Sequence, residues 1–249
     1  MKAEEKEAKE NYDKSARGYH SWRTVENPDG WFYNELLEMP ATLKLLGNVK
    51  SKKVLDFGCG TGIYAKLLTQ KGASVKGFDI SPAMIKIAKE ENPNLDLKVG
   101  SGYDIPFKEK FDIVLASLVF HYFKNWDKMF KEIKGILKKG GILVFSTNNP
   151  VYDSRERISI KNKEVSVFGD YFHEGKAYIS WKDDDGKEMK MTFYRKTYQS
   201  IIETILNNGF EIIGYKDCFP LKKAKKLFPD DYKEYSRKPF FTSWKVRLR

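Results

Sequence analysis

The sequence predicts an α/β protein: a doubly wound, mostly parallel sheet of seven strands with an inserted β-rich cap. Three observations predict it. Apolar strand-like runs alternate with helix-like stripes through five strands between Val54 and Ser146, the pattern of parallel strands joined by crossover helices. The first strand runs into Asp56 and then into glycines at alternate positions, Gly58, Gly60 and Gly62. After Pro150 the helical rhythm stops and strand-like segments take over, before one more helix and two late strands.

Residues 1 to about 20 read as a charged helix that ends in an aromatic-rich irregular stretch around Trp22, Trp31 and Phe32. A short helix is expected over Asn34 to Leu46. Val54 to Phe57 is the first strand, and Ile63, Tyr64, Leu67 and Leu68 give the next helix its buried stripe. Ser74 to Asp79 is the second strand, and Ser81-Pro82 supplies an N-cap and an N1 proline to a helix with Met84, Ile85 and Ala88 on one face. Leu95 to Val99 is the third strand. Phe111 to Ser117 is the fourth, apolar enough to be buried on both faces.

Trp126, Met129, Phe130, Ile133 and Leu137 keep helical spacing; Gly140-Gly141 is expected to end that helix and Ile142 to Ser146 to form the fifth strand. Between 151 and 195, Tyr178 to Trp181 and Met189 to Tyr194 flank Asp185-Gly186 and read as a hairpin. The run Asp183-Asp184-Asp185 lacks the spacing of a calcium loop. Thr197 caps a helix with the stripe Ile201, Ile202, Ile205 and Leu206, and Gly209 stands at its C-terminal cap. Phe210 to Lys216 and Phe241 to Leu248 are the late strands.

The 249 residues suffice for a sizeable core. The N-terminus is charged from the start, and no run approaches the ~20 apolar residues of a membrane span. Two cysteines, Cys59 and Cys218, give neither a disulfide framework nor a metal pattern, which fits a reducing, cytoplasmic setting. Net charge is +11, and the last 34 residues hold 11 Lys and Arg against 4 Asp and Glu. Lys222, Lys223, Lys225 and Lys226 lack the framing of a nucleic-acid module, so a solvated basic face is the expectation.

The glycine turn suits a ligand pressed against backbone at a helix N-terminus. The dinucleotide fingerprint places its third glycine one position later, where Ile63 stands. Asp56 would repel a pyrophosphate but suits a ligand carrying an ammonium and a sulfonium, which points to S-adenosylmethionine. Asp79, at the end of the second strand, is placed to accept from both ribose hydroxyls. Its bland alternative is a turn aspartate ahead of the Ser-Pro cap.

VLDFGCGTG, GFDIS, GYDIPF, FDIVLAS with the HYF after it, and LKKGGILVFS fall in order over residues 52 to 147. In this the chain resembles the class I S-adenosylmethionine-dependent methyltransferases, specifically the small-molecule branch labelled methyltransferase type 11, with its Rossmann-like sheet. A weaker resemblance, in Tyr12 to Tyr19, Phe172 to Gly175, Tyr194 to Thr197 and Gly209 to Ile212, extends over most of the chain. With no internal repeat or low-complexity linker, the chain reads as a single domain over 1–249, with an N-terminal helical lid (1–50), a cofactor-binding core (51–149), an inserted cap (150–196) and a final helix with strands (197–249).

The resemblance further implies that Gly58 and Gly60 line the methionine part of the cofactor, with Asp56 near its amino group. Asp79 would hold the ribose, and Ile80 and Met84 would pack on adenine, although core packing explains both equally. The family usually has an acid where Ser101 stands; here Ser101 bonds the adenine more weakly or Asp104 substitutes. Backbone at Gly102 and Tyr103 would meet the adenine edge, and Ser117 and Leu118 would close the site around the sulfur. His121 is the candidate base because it follows the fourth strand and titrates near neutrality; its alternative is a structural role in Phe120-His121-Tyr122.

Tyr19, with Tyr12 and His20, is a candidate lid over the methyl group. Where the subgroup carries His-His-Pro this chain has Asn148-Asn149-Pro150, so only substrate orientation is carried over for the asparagines. No metal site is expected, since no His/Asp/Glu cluster has ligand spacing. The expected activity is methylation of a small-molecule acceptor. The rivals are a nucleic-acid methyltransferase recruited by the basic C-terminal region, a non-catalytic cofactor-binding protein and an NAD-type oxidoreductase. Against the first, (Asn/Asp)-Pro-Pro-(Tyr/Phe) is absent, Asn149-Pro150-Val151 coming nearest. Monomer and homodimer both fit.

Overall fold

The alternation of strands and helices follows the apolar spacing of the sequence. A computed structural model describes residues 2–23, 31–160, 163–182 and 188–249, with the side chains of 157–160, 163–166, 168, 179–182 and 188–189 left aside. Helix α1 (Ala3–Trp22) opens the chain, and a π-helical turn (Phe32–Glu38) runs into α2 (Met39–Leu46). The parallel units follow as β1 (Lys53–Phe57), α3 (Ile63–Gln70), β2 (Ser74–Asp79), α4 (Pro82–Glu91), β3 (Asp96–Val99) and β4 (Phe111–Ala116). After a 3-10 turn (Phe120–Tyr122) come α5 (Trp126–Ile136) and β5 (Leu137–Asn148).

The segment between β5 and α7 (Tyr198–Asn207) holds a short α6 (Pro150–Asp153) and four strands, β6 (Arg155–Ile160), β7 (Lys163–Phe168), β8 (Gly175–Lys182) and β9 (Glu188–Arg195). They pair as two antiparallel hairpins, β6 with β7 and β8 with β9. The second is the hairpin expected from the sequence; the first was not anticipated. The expected Asp185-Gly186 turn, the aspartate run 183–185 and most of the irregular stretch after Trp22 lie outside the described residues. Strand β10 (Phe210–Asp217), two short helices α8 (Ala224–Leu227) and α9 (Pro229–Tyr235), and β11 (Phe241–Leu248) complete the chain.

The main sheet has seven strands in the order β10-β11-β5-β4-β1-β2-β3. Pairing is parallel from β5 through β3 and antiparallel where β11 meets β5 and β10. Alternate residues of each strand face opposite layers. Leu55, Phe57, Val114 and Ala116 join the core beneath α5 and α7. Val54, Ile113 and Leu115 join the opposite core beneath α2 and α3. On α5, Trp126, Met129, Phe130, Ile133 and Ile136 are buried, each worth roughly 1.5–3 kcal/mol of burial.

One boundary departs from expectation. Helix α5 ends at Ile136, and Leu137 already pairs with Phe111, while Ile142 pairs with Ile113. Residues 138–141 are therefore an excursion within β5, and Gly140-Gly141 turns that excursion rather than ending the helix. Leu137, placed on the helical stripe by its spacing, is buried from the strand instead.

Candidate active site

Strand order reverses between β1 and β4, whose neighbours β2 and β5 lie on opposite sides. The crevice at the carboxyl ends of the strands around such a point is where open α/β sheets take ligands. Two cavities lie there. The smaller, about 90 Å³, is lined by Gly58 and Gly60 after β1, Asp79 and Ile80 at the end of β2, Gly102 after β3, and Ser117 and Leu118 after β4. Met84 of α4 and Glu4, Glu5, Tyr12 and Tyr19 of α1 also line it. The larger, about 840 Å³, runs between α1, the 3-10 turn, α6 and the β8–β9 hairpin. Tyr12, Tyr19, Leu118 and Tyr122 line both.

The glycine turn is left-handed at Gly58 (φ +69°) and Gly60 (φ +52°), conformations that side chains resist. A Cβ on Gly58 would lie 2.5 Å from Val119 Cγ2. Bare backbone at this loop thus forms one wall of the smaller cavity.

Asp79 accepts the N–H of Gly60 and that of Ser81, both at 2.9 Å, which ties the loop to the end of β2. Burial raises its carboxyl above the ordinary range against those two hydrogen bonds. Asp56 is 2% exposed, and its Oδ2 has no hydrogen-bond partner. Burial first, and then the charge of Asp79, push its carboxyl up to about 7.

Helix α1 covers the smaller cavity through polar contacts. Glu5 accepts from Ser101 Oγ, and Tyr103 Oη donates to Glu4 Oε1 at 3.2 Å. Asp13 Oδ1 accepts from Ser81 Oγ at 2.6 Å and from the Ala83 N–H at 3.2 Å. Tyr12 Oη donates to Tyr122 Oη at 2.9 Å. The same helix reaches the second hairpin, where the Thr192 N–H donates to Glu7 Oε1 and Asn11 Nδ2 donates to the Lys190 carbonyl.

Leu118, at the junction of the cavities, has φ +52° without being a glycine, a strain of roughly 1–3 kcal/mol. Its N–H donates to Ser146 Oγ at 2.9 Å, and that hydroxyl donates to Glu38 Oε1 at 2.5 Å. Glu38 is fully buried and also accepts from Thr42 and Tyr64. This network fixes the chain where the cavities meet.

The larger cavity mixes aromatic walls with charge: Lys14, His121, Asn148, Asp153, Arg155 and Arg195 all line it. Burial pushes the Asp153 carboxyl up to about 7, against a hydrogen bond from Asn148 and the nearby Arg195 charge. Asn149, by contrast, caps α6 through the Val151 N–H and donates to Asp217, so it holds the backbone and leaves the cavity to Asn148.

The structure brings Gly58, Gly60, Asp79, Ile80, Met84, Gly102, Ser117 and Leu118 to one cavity wall. Met84 also packs with Ala16, Tyr12 and Tyr19 of α1, so core packing and cavity lining coincide. Asp56, Ser101 and Tyr103 do not line the cavity themselves; Ser101 and Tyr103 stand behind Glu5 and Glu4. Asp104, the alternative to Ser101, points to solvent and pairs with Lys108 at 3.5 Å, which removes it from the site. His20 faces Glu91 and lines neither cavity.

His121 lines the larger cavity, but burial pulls its imidazole down to about 3. That corrects the expectation of titration near neutrality: the ring is neutral at physiological pH, with Nδ1 lacking a hydrogen-bond partner. Sequence reasoning missed Glu4, Glu5 and Asp153. The two glutamates belong to the charged N-terminal helix, and no local signal distinguishes them or Asp153.

Residues 55–145 match the family model described as a methyltransferase domain. An uncharacterised protein of Haemophilus influenzae is 30% identical over 222 residues, covering 83% of this chain and 85% of its own length. A Listeria monocytogenes structure assigned to the S-adenosylmethionine-dependent methyltransferases is 26% identical, with a TM-score of 0.73, covering 85% of this chain and 96% of that one. The chain belongs to the class I S-adenosylmethionine-dependent methyltransferases. Among curated relatives, malonyl-[acyl-carrier protein] O-methyltransferase 1 of Ilyobacter polytropus is 26% identical over 171 residues, which span 65% of this chain and 60% of that protein.

As a methyltransferase of this class, the chain uses S-adenosylmethionine. The smaller cavity fits that cofactor in its chemistry. Its titratable lining is Glu4, Glu5, Asp79 and tyrosines, with no Lys, Arg or His, and the orphaned Asp56 oxygen lies buried nearby. Such a wall favours a ligand rich in N–H and O–H donors that carries positive charge. Among the described residues no helix is long and apolar enough to cross a membrane, and no group of His, Cys, Asp or Glu gathers as a metal site.

Proposed function

We propose that this methyltransferase transfers a methyl group to a small molecule held in the larger cavity. The observation that carries this reading is the junction: Tyr12, Tyr19, Leu118 and Tyr122 border both cavities, so donor and acceptor meet across them. On this reading Gly58, Gly60 and Asp56 receive the amino-acid end of the cofactor. Asp79 receives the ribose, Ile80, Met84 and Gly102 line the space for the base, and Ser101 and Tyr103 support it from behind Glu5 and Glu4. Ser117 and Leu118 bound the sulfur. Residues 1–50 and 150–196 act as lid and cap on one catalytic unit.

S-adenosylmethionine supplies a methyl group already activated on a sulfonium, so the protein's tasks are alignment and proton removal. Tyr12 and Tyr122, bonded hydroxyl to hydroxyl, hold the lid shut at the junction. Asp153 suits proton removal near neutral pH better than His121, because efficient general bases have a pKa near the working pH. His121 Nδ1 instead accepts a hydrogen bond that orients the acceptor.

The basic segment favours no nucleic-acid substrate, since Lys222, Lys223, Lys225 and Lys226 line neither cavity. The buried free thiols of Cys59 and Cys218 support a cytoplasmic setting. The experiment is to supply methyl-labelled cofactor with a protein-free metabolite extract or with total RNA. Protein-dependent label in the small-molecule fraction is expected. Label confined to RNA, or to no fraction, contradicts the reading.

A further inference from the structure

We infer that Glu5 reads the 6-amino group of the cofactor's adenine, so that the helix closing the site is also the element that recognises the base. This rests on the assignment of the smaller cavity to S-adenosylmethionine. Glu5 is 5% exposed and lines that cavity. Its Oε1 accepts from Ser101, and its Oε2 accepts the Lys2 N–H at 3.1 Å. A carboxylate offers about four acceptor sites, so these two donors leave acceptor capacity on a residue that lines the cavity. Among the described ion pairs none involves Glu5, which makes a ligand N–H its natural complement.

The position on the sheet selects which end of the ligand meets Glu5. The glycine turn follows β1, Asp79 ends β2, and Ser101-Gly102 follows β3, one strand further toward the edge. A ligand with its amino-acid end at the turn and its ribose at Asp79 carries its base toward Gly102 and Glu5. Packing of Phe123 and Phe57 leaves no room for a Cβ at Gly102, and this residue lines the same cavity as Glu5. The Glu5 carboxylate, bonded to the neighbouring Ser101, would accept from an exocyclic amine and repel an exocyclic carbonyl.

Base recognition and lid docking then become one event, because Glu5 belongs to α1. Other tethers of that helix, Asp13 to Ser81, Tyr12 to Tyr122, Glu7 to Thr192, Glu4 to Tyr103 and Asn11 to Lys190, do not involve Glu5. A Glu5→Gln chain therefore keeps its lid.

The test is calorimetry with S-adenosylhomocysteine and with S-inosylhomocysteine, which has a 6-oxo group in place of the amine, on the native chain, Glu5→Gln and Glu5→Ala. The native chain should prefer the adenosyl ligand by about 10–100-fold, the range for a hydrogen bond to a charged group. Glu5→Gln, whose amide both donates and accepts, should reduce that preference to within about threefold, and Glu5→Ala should weaken adenosyl binding about tenfold or more. Tight adenosyl binding with the preference intact in Glu5→Gln overturns the role of Glu5 and leaves the cofactor site standing. Failure of the native chain to bind either ligand overturns both.

Discussion

The smaller cavity is walled largely by strand ends and bare glycine backbone, whereas the larger is walled by side chains gathered from segments between Tyr12 and Phe241. The first is anchored to the centre of the sheet: Asp56 sits on β1 between β2 and β4, and Asp79 clamps the glycine turn. Helix α1 lines both, and the second depends in addition on how the β8–β9 hairpin settles over the sheet. A site made of backbone tolerates little variation, because a Cβ at Gly58 has nowhere to go. A site made of projecting side chains can be respecified by exchanging them. That difference suits an enzyme family with one methyl donor and many acceptors.

The largest effect should separate the two cavities. Asp153→Asn, assayed with the acceptor found by label transfer, is expected to lower kcat by about 10²–10⁴-fold while S-adenosylhomocysteine affinity stays unchanged. Because burial holds the native carboxyl at about 7, the native rate should climb with pH as Asp153 deprotonates. The variant should lose that limb. A variant with native kcat and an unaltered pH profile would remove Asp153 from the reaction.

Gly58→Val attacks the other wall. It forces a branched side chain onto φ +69° and against Val119, so S-adenosylhomocysteine affinity should fall by about 10–100-fold. Calorimetry showing native affinity would mean that ligand does not approach the turn.

The smallest effect tests the electrostatics of the donor side. Burial raises the Asp56 carboxyl to about 7, so the folded chain holds that proton more tightly than the unfolded one. Asp56 therefore contributes stability at low pH that is lost as pH rises through about 7 in the free protein. The cationic cofactor favours the ionised form, so S-adenosylmethionine affinity should rise up to about tenfold between pH 6 and pH 8. Asp56→Asn should flatten that rise. A native profile already flat would place the cationic groups away from Asp56.

The same contrast decides what the sequence made legible. The glycine turn, Asp79 and the strands beneath them are local patterns: a turn needs its glycines, and a buried strand needs its apolar run. Glu5 is different. Within Ala3-Glu4-Glu5-Lys6-Glu7 it looks like any solvated helical acid, and only the docking of α1 against Ser101 buries it. His121 lies at the larger cavity, and its lowered pKa follows from burial that no neighbouring residue announces. The β6–β7 hairpin was missed because Arg155 to Ile160 alternates charge with apolar residues only near its end. Gly140-Gly141 reads as a helix stop by composition, and only the pairing of Leu137 with Phe111 places it inside a strand.

The central claim is that the smaller cavity holds the cofactor with Asp79 on its ribose. Calorimetry with S-adenosylhomocysteine on the native chain and on Asp79→Asn, which keeps the side chain's size, tests it most directly. One-to-one binding by the native chain and a loss of about 10–100-fold in the variant are expected, since hydrogen bonds to a charged acceptor are removed. Equal, tight binding by both would contradict the claim.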